Sequence, residues 1–196
     1  MHILKCFILS FIVLSSIPSL AQDGDSTDFY YQIPDYPQGY DAGSVAARVV
    51  DGLGFRYYWA TEGLTEGDLQ FRPSEGARNV EETIDHIINL TQILANAVQE
   101  KSFDGVAYDE MTFAQKRELT LENIRVASEI LKTSNAENLE KFDMIFSSGA
   151  EFPFWNLLNG PVADAINHVG QIITLRRTNG NPINQNISVL QGRVRG

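Results

Sequence analysis

Asp164 and His168 are the residues whose type and spacing first point to chemistry. They lie four positions apart in GPVADAINHVGQ, residues 160–171, a segment that otherwise has the apolar periodicity of a helix. On a helix, residues four apart stand one turn above each other on the same face. A carboxylate and an imidazole placed in this way are suitable ligands for a divalent metal ion. The D-x-x-x-H spacing is common by chance and is weak evidence alone. A third ligand from another part of the chain would complete a metal site.

His86 is the candidate for that third ligand. The chain has three histidines, and His2 lies in a segment that is expected to be removed on export. Two imidazoles and a carboxylate suit Zn²⁺, Ni²⁺, Fe²⁺ or Mn²⁺. Three protein ligands leave coordination positions open for water or substrate. The alternative is that His86 bonds a backbone carbonyl and that Asp164 stabilises the first turn of its helix.

Two further polar residues are candidates for orienting these ligands. Gln171 lies one turn after His168, and Glu82 lies one turn before His86. Hydrogen bonds to the ligands of a metal ion fix their orientation and raise its affinity.

Four amphipathic segments must position these residues. The second segment is expected to start after the N-cap Asn79, and the third starts with a capping box formed by Thr112 and Gln115. We expect the first to be capped by Ser44, and the last to have Pro161 at its first helical position. The helices are expected over residues 43–63, 79–100, 112–132 and 161–178.

Shorter elements are expected between these helices. Residues 65–69 could form one short helical turn. Residues 133–154 allow a short helical piece over 137–141 and an extended MIF segment, residues 144–146.

In the last helix, a face centred on His168 includes Asp164 and Gln171 within about 60° at 100° per residue, so polar groups are expected to interrupt the inward face.

The first 21 residues have the pattern of a secretory signal peptide. Lys5 precedes an apolar run from Ile8 to Leu14, and small residues occupy positions 19 and 21. The run is too short to span a bilayer, which takes about 20 apolar residues. The only cysteine, Cys6, lies within this segment. We therefore expect an exported protein, periplasmic or secreted, which is held by its hydrophobic core without disulfides.

The rest of the chain is expected to form an irregular arm, residues 22–41, and one helical domain, residues 42–196. The 196 residues include 15 Lys and Arg against 25 Asp and Glu, for a net charge of −10. Binding to nucleic acid needs clustered basic residues, so this charge argues against a nucleic-acid partner and against an anionic membrane surface. Four helices with one apolar face each predict an all-α fold, a four-helix bundle.

Three segments give the chain a resemblance to the DinB/YfiT-like metalloenzyme superfamily, and to its exported members in particular. They are ATEGLTEGDLQFRP at residues 60–73, TIDHIINL at residues 83–90, and HVGQIITLRR at residues 168–177, which is followed by NGNP. The resemblance extends from about residue 44 to residue 182. It implies a four-helix bundle that holds a divalent metal ion by one histidine of the second helix and a pair of ligands four apart on the last.

This resemblance assigns His86 and His168 to two of the three metal-binding positions. Asp164 occupies the third, where many members have histidine, so the implied site has two histidines and one carboxylate. Our first hypothesis is therefore a metal-dependent hydrolase or transferase that acts on a small-molecule substrate.

The second hypothesis is a binding or structural bundle, with a homodimer as an option, that has the fold without the chemistry. The two arginines at the end of the last helix, Arg176 and Arg177, offer an anion site as one alternative. The favoured interpretation is that they cap the carbonyls of their own helix and stay solvated.

Overall fold

Side-chain caps fix where two of the long helices begin. The computed structural model describes residues 26–195. Helix α3 (Val80–Val98) starts at Asn79, whose Oδ1 accepts from the Glu82 amide at 2.7 Å while the Glu82 carboxylate accepts from the Asn79 amide at 2.9 Å. Thr112 and Gln115 form the same reciprocal box at the start of α4 (Phe113–Lys132). Both predicted capping sites are confirmed.

The first long helix, α1 (Ala42–Thr61), is capped by a different residue from the one expected. The carboxylate of Asp41 accepts from the Ser44 amide at 2.8 Å, so Asp41 is the N-cap and the prediction of Ser44 is wrong. Ser44 lies inside the first turn, where its hydroxyl donates to the Asp41 carbonyl. A short helix, α2 (Glu66–Leu69), follows where the sequence allowed one short turn, and Thr65 is its N-cap.

The last long helix begins earlier than Pro161 and through a distorted turn. Helix α6 (Phe154–Leu157) continues into a π-helical turn, Leu158–Val162, and then into α7 (Ala163–Thr178). Proline cannot donate a backbone hydrogen bond, and its ring collides with the carbonyl four residues before it in an α-helix. The wider turn accommodates Pro161, and the Ala163 amide donates to the Leu158 carbonyl, five residues back. The expectation of Pro161 at a first helical position is therefore wrong.

The region between α4 and α6 contains both elements that the sequence allowed. Helix α5 (Ala136–Leu139) is followed by strand β2 (Met144–Phe146). Strand β2 pairs in parallel with β1 (Ser102–Phe103) and antiparallel with β3 (Glu151–Phe152). The register aligns residue 102 with 145 and residue 144 with 152. Near the carboxyl end, β4 (Ile187–Ser188) and β5 (Arg193–Val194) form a separate antiparallel pair.

The four long helices form a bundle in which α1 and α3 each pack against both α4 and α7. Consecutive long helices are thus not always neighbours, because α1 and α3 lie on opposite sides of the bundle. The expected all-α four-helix bundle is confirmed. Its interior is aliphatic and aromatic, and the largest side chains that are less than 2% exposed include Leu53, Phe55, Tyr57, Ile84, Ile87, Leu94, Leu121, Ile124, Leu131 and Leu157.

Part of the expected arm packs against this core. Residues Ser26–Tyr31 form a 3₁₀ helix, and the Tyr30 side chain is fully buried. Its hydroxyl donates to the Asp51 carboxylate at 3.2 Å. A Cβ at Gly54 would lie 2.6 Å from the Tyr30 ring, so α1 needs glycine where the arm crosses it.

The expected signal peptide, residues 1–21, lies outside the described residues. Within residues 26–195, no helix is both long enough and apolar enough to cross a membrane.

Candidate metal centre

The face of helix α7 that packs against the core is not centred on His168. Its buried residues are Ala165, Val169, Ile172 and Arg176, at steps of four, three and four. At 100° per residue, the centre of this stripe lies about 70° from His168. His168 is therefore at the edge of the stripe, and its side chain is 12% exposed. Asp164 lies further round and is 42% exposed.

The three predicted ligands come together at this edge of the bundle. His86 reaches it from α3, and its Nε2 lies 3.1 Å from Oδ2 of Asp164. The Nε2 of His168 lies 3.3 Å from the other carboxylate oxygen, Oδ1. The two imidazole rings meet edge to face, with centroids 4.6 Å apart. One ligand atom from each residue can be chosen so that all of them lie within 4.8 Å of one another.

These donors fit a divalent cation in both type and spacing. A metal held at about 2.0–2.2 Å by nitrogen and carboxylate oxygen requires neighbouring donor atoms about 3–3.5 Å apart. The two distances from the Asp164 carboxylate to the imidazole Nε2 atoms fall in this range, each through a different carboxylate oxygen, while one ligand atom from each of the three residues lies within 4.8 Å of the others. The His86 side chain is 30% exposed, so the cluster is reached by solvent rather than enclosed. His86, Asp164 and His168 are therefore the residues that could hold a metal ion.

Gln171 contacts the far side of the His168 ring. Its Oε1 lies 2.9 Å from Nδ1 of His168. A carbonyl oxygen accepts only from an N–H, so this contact places a proton on Nδ1, and in the neutral imidazole Nε2 is then the nitrogen that can bind a metal ion. The hydrogen bond thus selects the tautomer that a metal ligand needs.

Glu82 and Asp85, the carboxylates near His86 on α3, are engaged elsewhere. Glu82 closes the capping box of α3 and pairs with Arg72 at 2.8 Å, and these hydrogen bonds lower its pKa. Asp85 turns to α4, where it pairs with the buried ammonium of Lys116 at 2.8 Å. Within the described residues, no hydrogen bond joins Glu82 to His86, in contrast to Gln171 and His168.

A groove of about 600 Å³ opens beside His168, the one candidate ligand among its lining residues. It runs between the connection that leads into α3 and the exposed side of α7. His168 and Gln171 line one wall, and Arg78 and Thr83 belong to the other. A groove of this size is in the range of small-molecule sites.

The other end of α7 carries a second polar cluster, which the sequence did not reveal. Arg176 is only 2% exposed, and it caps α1 instead of its own helix. Its Nη1 donates to the carbonyls of Ala60 and Glu62 at 2.9 and 2.8 Å, and to the Trp59 carbonyl at 3.3 Å. Its Nε donates to the Asn181 carbonyl at 2.7 Å. The expectation that both arginines stay solvated is wrong for Arg176.

Asp68 completes this second cluster. Its carboxylate accepts from the side-chain amides of Asn179 and Asn181 at 2.8 and 2.7 Å. It also accepts from the amide and hydroxyl of Thr65. Burial acts to raise the pKa of Asp68, and these hydrogen bonds outweigh it, so the pKa lies well below its usual range. The cluster joins the end of α1 to the end of α7.

One sequence signal could have predicted the burial of Arg176. It is the spacing of Ala165, Val169 and Ile172, at steps of four and three residues. The next position in that series is residue 176, and a charged residue there indicates a buried, fully hydrogen-bonded role.

Comparison with known proteins identifies the fold. No protein-family model matches the sequence, and no curated protein matches it. Among solved structures, the DinB-like protein YjoA of Bacillus subtilis matches with a TM-score of 0.52 and 16% sequence identity, over 75% of this chain and 99% of that one. The chain therefore has the DinB-like fold, as its sequence predicted.

Proposed function

We propose that this protein is a divalent-metal-dependent enzyme, a hydrolase or transferase, with His86, Asp164 and His168 as the ligands. The observation that carries the proposal is the convergence of two imidazoles and one carboxylate from α3 and α7, at distances that suit a single ion. The DinB-like fold supports it, since the residues lie on the helices where the resemblance implies a metal site. The ion would be Zn²⁺, Ni²⁺, Fe²⁺ or Mn²⁺.

A bound ion of this kind supplies Lewis acidity, which lowers the pKa of a bound water or polarises a substrate carbonyl. The chain contributes the orientation of the ligands. Gln171 accepts a hydrogen bond from His168 Nδ1, and the two oxygens of the Asp164 carboxylate each contact one imidazole. The partial exposure of the cluster and the groove next to it give a small substrate a way in.

Metal content tests the proposal directly. Untagged wild-type protein is purified after Zn²⁺, Ni²⁺, Mn²⁺ or Fe²⁺ has been offered, and bound metal is measured by mass spectrometry. We expect about one ion per chain in the wild type, and loss of the ion in His168→Ala and Asp164→Ala. Asp164→His restores a three-histidine set, so it should retain metal.

Glu118→Ala is the matched control, because Glu118 is an exposed carboxylate on α4, outside the cluster. It should bind metal as the wild type does. Wild-type protein without metal above background, with all four ions tried, would rule the proposal out.

A second candidate is a non-catalytic binding or structural bundle. The observation in its favour is the 3.1 Å contact between His86 and Asp164, which can hold the two helices together with no ion present. In that case, the melting temperature of the wild type should not rise when any of the four metals is added. A dimer, where it forms, should not depend on metal.

Localisation remains part of the proposal. We propose export on the basis of the first 21 residues, and we propose a small-molecule substrate as the partner, with a homodimer as an option. Secretion of the protein with loss of these residues, measured by mass spectrometry of the mature N-terminus, tests this.

A further inference from the structure

The groove beside His168 differs in charge from the chain as a whole. The protein has a net charge of −10. Among the residues that line the groove, Arg78 is the only one with a permanently charged side chain, and no carboxylate lines it. The groove therefore presents one guanidinium and no carboxylate to a ligand, a balance of charge that favours anions.

Arg78 is also free to bind a ligand. Within residues 26–195, it makes no hydrogen bond or ion pair. Its neighbour Arg72, by contrast, donates to the Ala77 carbonyl and pairs with Glu82. Arg78 does help to lower the pKa of Glu82, yet that carboxylate is already held by Arg72 and by the Asn79 amide.

The remaining lining of the groove is small or neutral. Pro73, Ala77 and Gly170 leave space, and Asn167 and Thr174 offer neutral polar groups. An anion that enters therefore meets one guanidinium, neutral hydrogen-bonding groups, and the His168 end of the cluster. A guanidinium binds carboxylates and phosphates through paired N–H donors, which fixes their direction as well as their position.

We propose that Arg78 forms an anion subsite, so that the substrate carries a carboxylate or phosphate group at one end and its reactive group at the other. The anion would be held by Arg78, while the reactive group would lie toward His86, Asp164 and His168. The assignment of the reacting end rests on the proposed function. The anion subsite itself rests on the lining of the groove and on the unpaired state of Arg78.

Two small hydroxamates test the subsite in Zn²⁺-loaded protein. Acetohydroxamate offers the metal-binding group with an uncharged methyl tail, and succinic monohydroxamate carries the same group with a carboxylate tail. By isothermal titration calorimetry, we expect the succinic compound to bind the wild type about fivefold more tightly, the upper end for one exposed charge-assisted pair.

Variants of Arg78 should change only the response to the tail. In Arg78→Ala, the two hydroxamates should bind within about twofold of each other, while acetohydroxamate binds as in the wild type. In Arg78→Glu, the preference should move to β-alanine hydroxamate, whose tail is an ammonium group. Arg177→Ala is the control, because Arg177 is an exposed arginine of α7 that does not line the groove, and it should keep the wild-type preference.

A metal-free arm separates this inference from the proposed function. Protein without metal is titrated with inorganic phosphate and, separately, with succinate, and the amide shifts of residues 78, 170 and 171 are followed by NMR. Shifts in the wild type that are absent in Arg78→Ala support the subsite, and the stronger titrant identifies the preferred anion. If the metal-loaded protein does not bind the hydroxamates while these shifts still occur in the wild type, the metal site is contradicted and the anion subsite is not. Wild-type shifts that persist in Arg78→Ala, or that do not occur, overturn the subsite.

Discussion

The two ends of α7 carry polar clusters that differ in how their hydrogen-bonding groups are satisfied. At the carboxyl end, Arg176 and Asp68 are 2% and 1% exposed, and their side chains are bonded to backbone and amide groups of α1, α2 and the chain after α7. At the amino end, Asp164 is 42% exposed, and its contacts are to the two histidines. The first cluster closes the structure, whereas the second faces solvent.

This difference indicates what each cluster is for. A buried polar group costs free energy unless it is fully hydrogen-bonded, so the Arg176 cluster is explained by the bonds that it makes within the fold. The histidines and Asp164 are not needed to fill the core, and their donor atoms converge at an accessible edge. Groups of this kind could hold a ligand from outside the protein, as the proposed metal site requires.

The largest expected effect is the loss of Arg176. Arg176→Met keeps much of the side-chain volume and leaves the carbonyls of Ala60 and Glu62 without their donor. We expect the free energy of unfolding to fall by about 3–5 kcal/mol, as for one partner of a buried charged network. Chemical denaturation of the metal-free protein measures this change.

The neighbouring Arg177→Met supplies the control, since Arg177 is exposed and should change stability by no more than about 0.5 kcal/mol. Equal effects of the two substitutions would remove the distinction between a buried structural cluster and ordinary surface charge.

The comparison also shows which parts of the resemblance concern chemistry. Of the segments that point to the DinB-like superfamily, residues 60–73 supply the carbonyls and the carboxylate that bind Arg176 and Asn181. Residues 83–90 and the start of residues 168–177 supply His86, His168 and Gln171. The segments that carry the resemblance therefore include both a buried structural cluster and a candidate site, and the residue types alone did not distinguish the two.

Local rules explain which features the sequence could predict. Capping boxes act over three residues, so the starts of α3 and α4 were predicted correctly. Arg176 donates to carbonyls that lie more than 100 residues away in the chain, and no local pattern contains those partners. The π-helical turn at Pro161 was missed because α6 extends the helix before the proline, where a new start was expected.

The sequence indicated the residues of the candidate site, but it did not indicate where in the bundle they lie. The spacing of Asp164 and His168 placed them on one face of α7. A face centred on His168 put them in the interior, and the buried stripe lies about 70° away from it. The histidines therefore meet at the rim of the bundle, next to a groove that the sequence did not indicate.

The second prediction concerns the pH dependence of the carboxyl-end cluster. Because the pKa of Asp68 is lowered in the folded state, its stabilising contribution is present above the unfolded pKa of about 4 and is lost as the pH falls toward the folded pKa. Asp68→Asn should lower the free energy of unfolding by about 2 kcal/mol at pH 7, and the deficit should shrink below pH 4. Denaturant titrations from pH 7 to pH 3 measure both stabilities.

Glu66→Gln provides the comparison for Asp68→Asn, because Glu66 is an exposed carboxylate on the same short helix. Its deficit should be small at every pH. A deficit for Asp68→Asn that stays constant from pH 7 to pH 3 would show that lost packing, rather than the charge of the carboxylate, explains the effect.

The smallest expected effect is at Gln171, where the amino-end cluster meets the groove. Gln171→Ala removes the acceptor that holds the proton on His168 Nδ1, so the Zn²⁺ affinity should fall about tenfold, whereas Gln171→Glu keeps an acceptor and should remain near the wild type. Competition with a chelator measures both affinities. The free energy of unfolding of the metal-free protein should change by no more than about 0.5 kcal/mol, because Gln171 is exposed. An unchanged Zn²⁺ affinity in Gln171→Ala would mean that packing at the edge of the buried stripe orients His168 without help. A large loss of stability would instead make this end of α7 structural, like the Arg176 end.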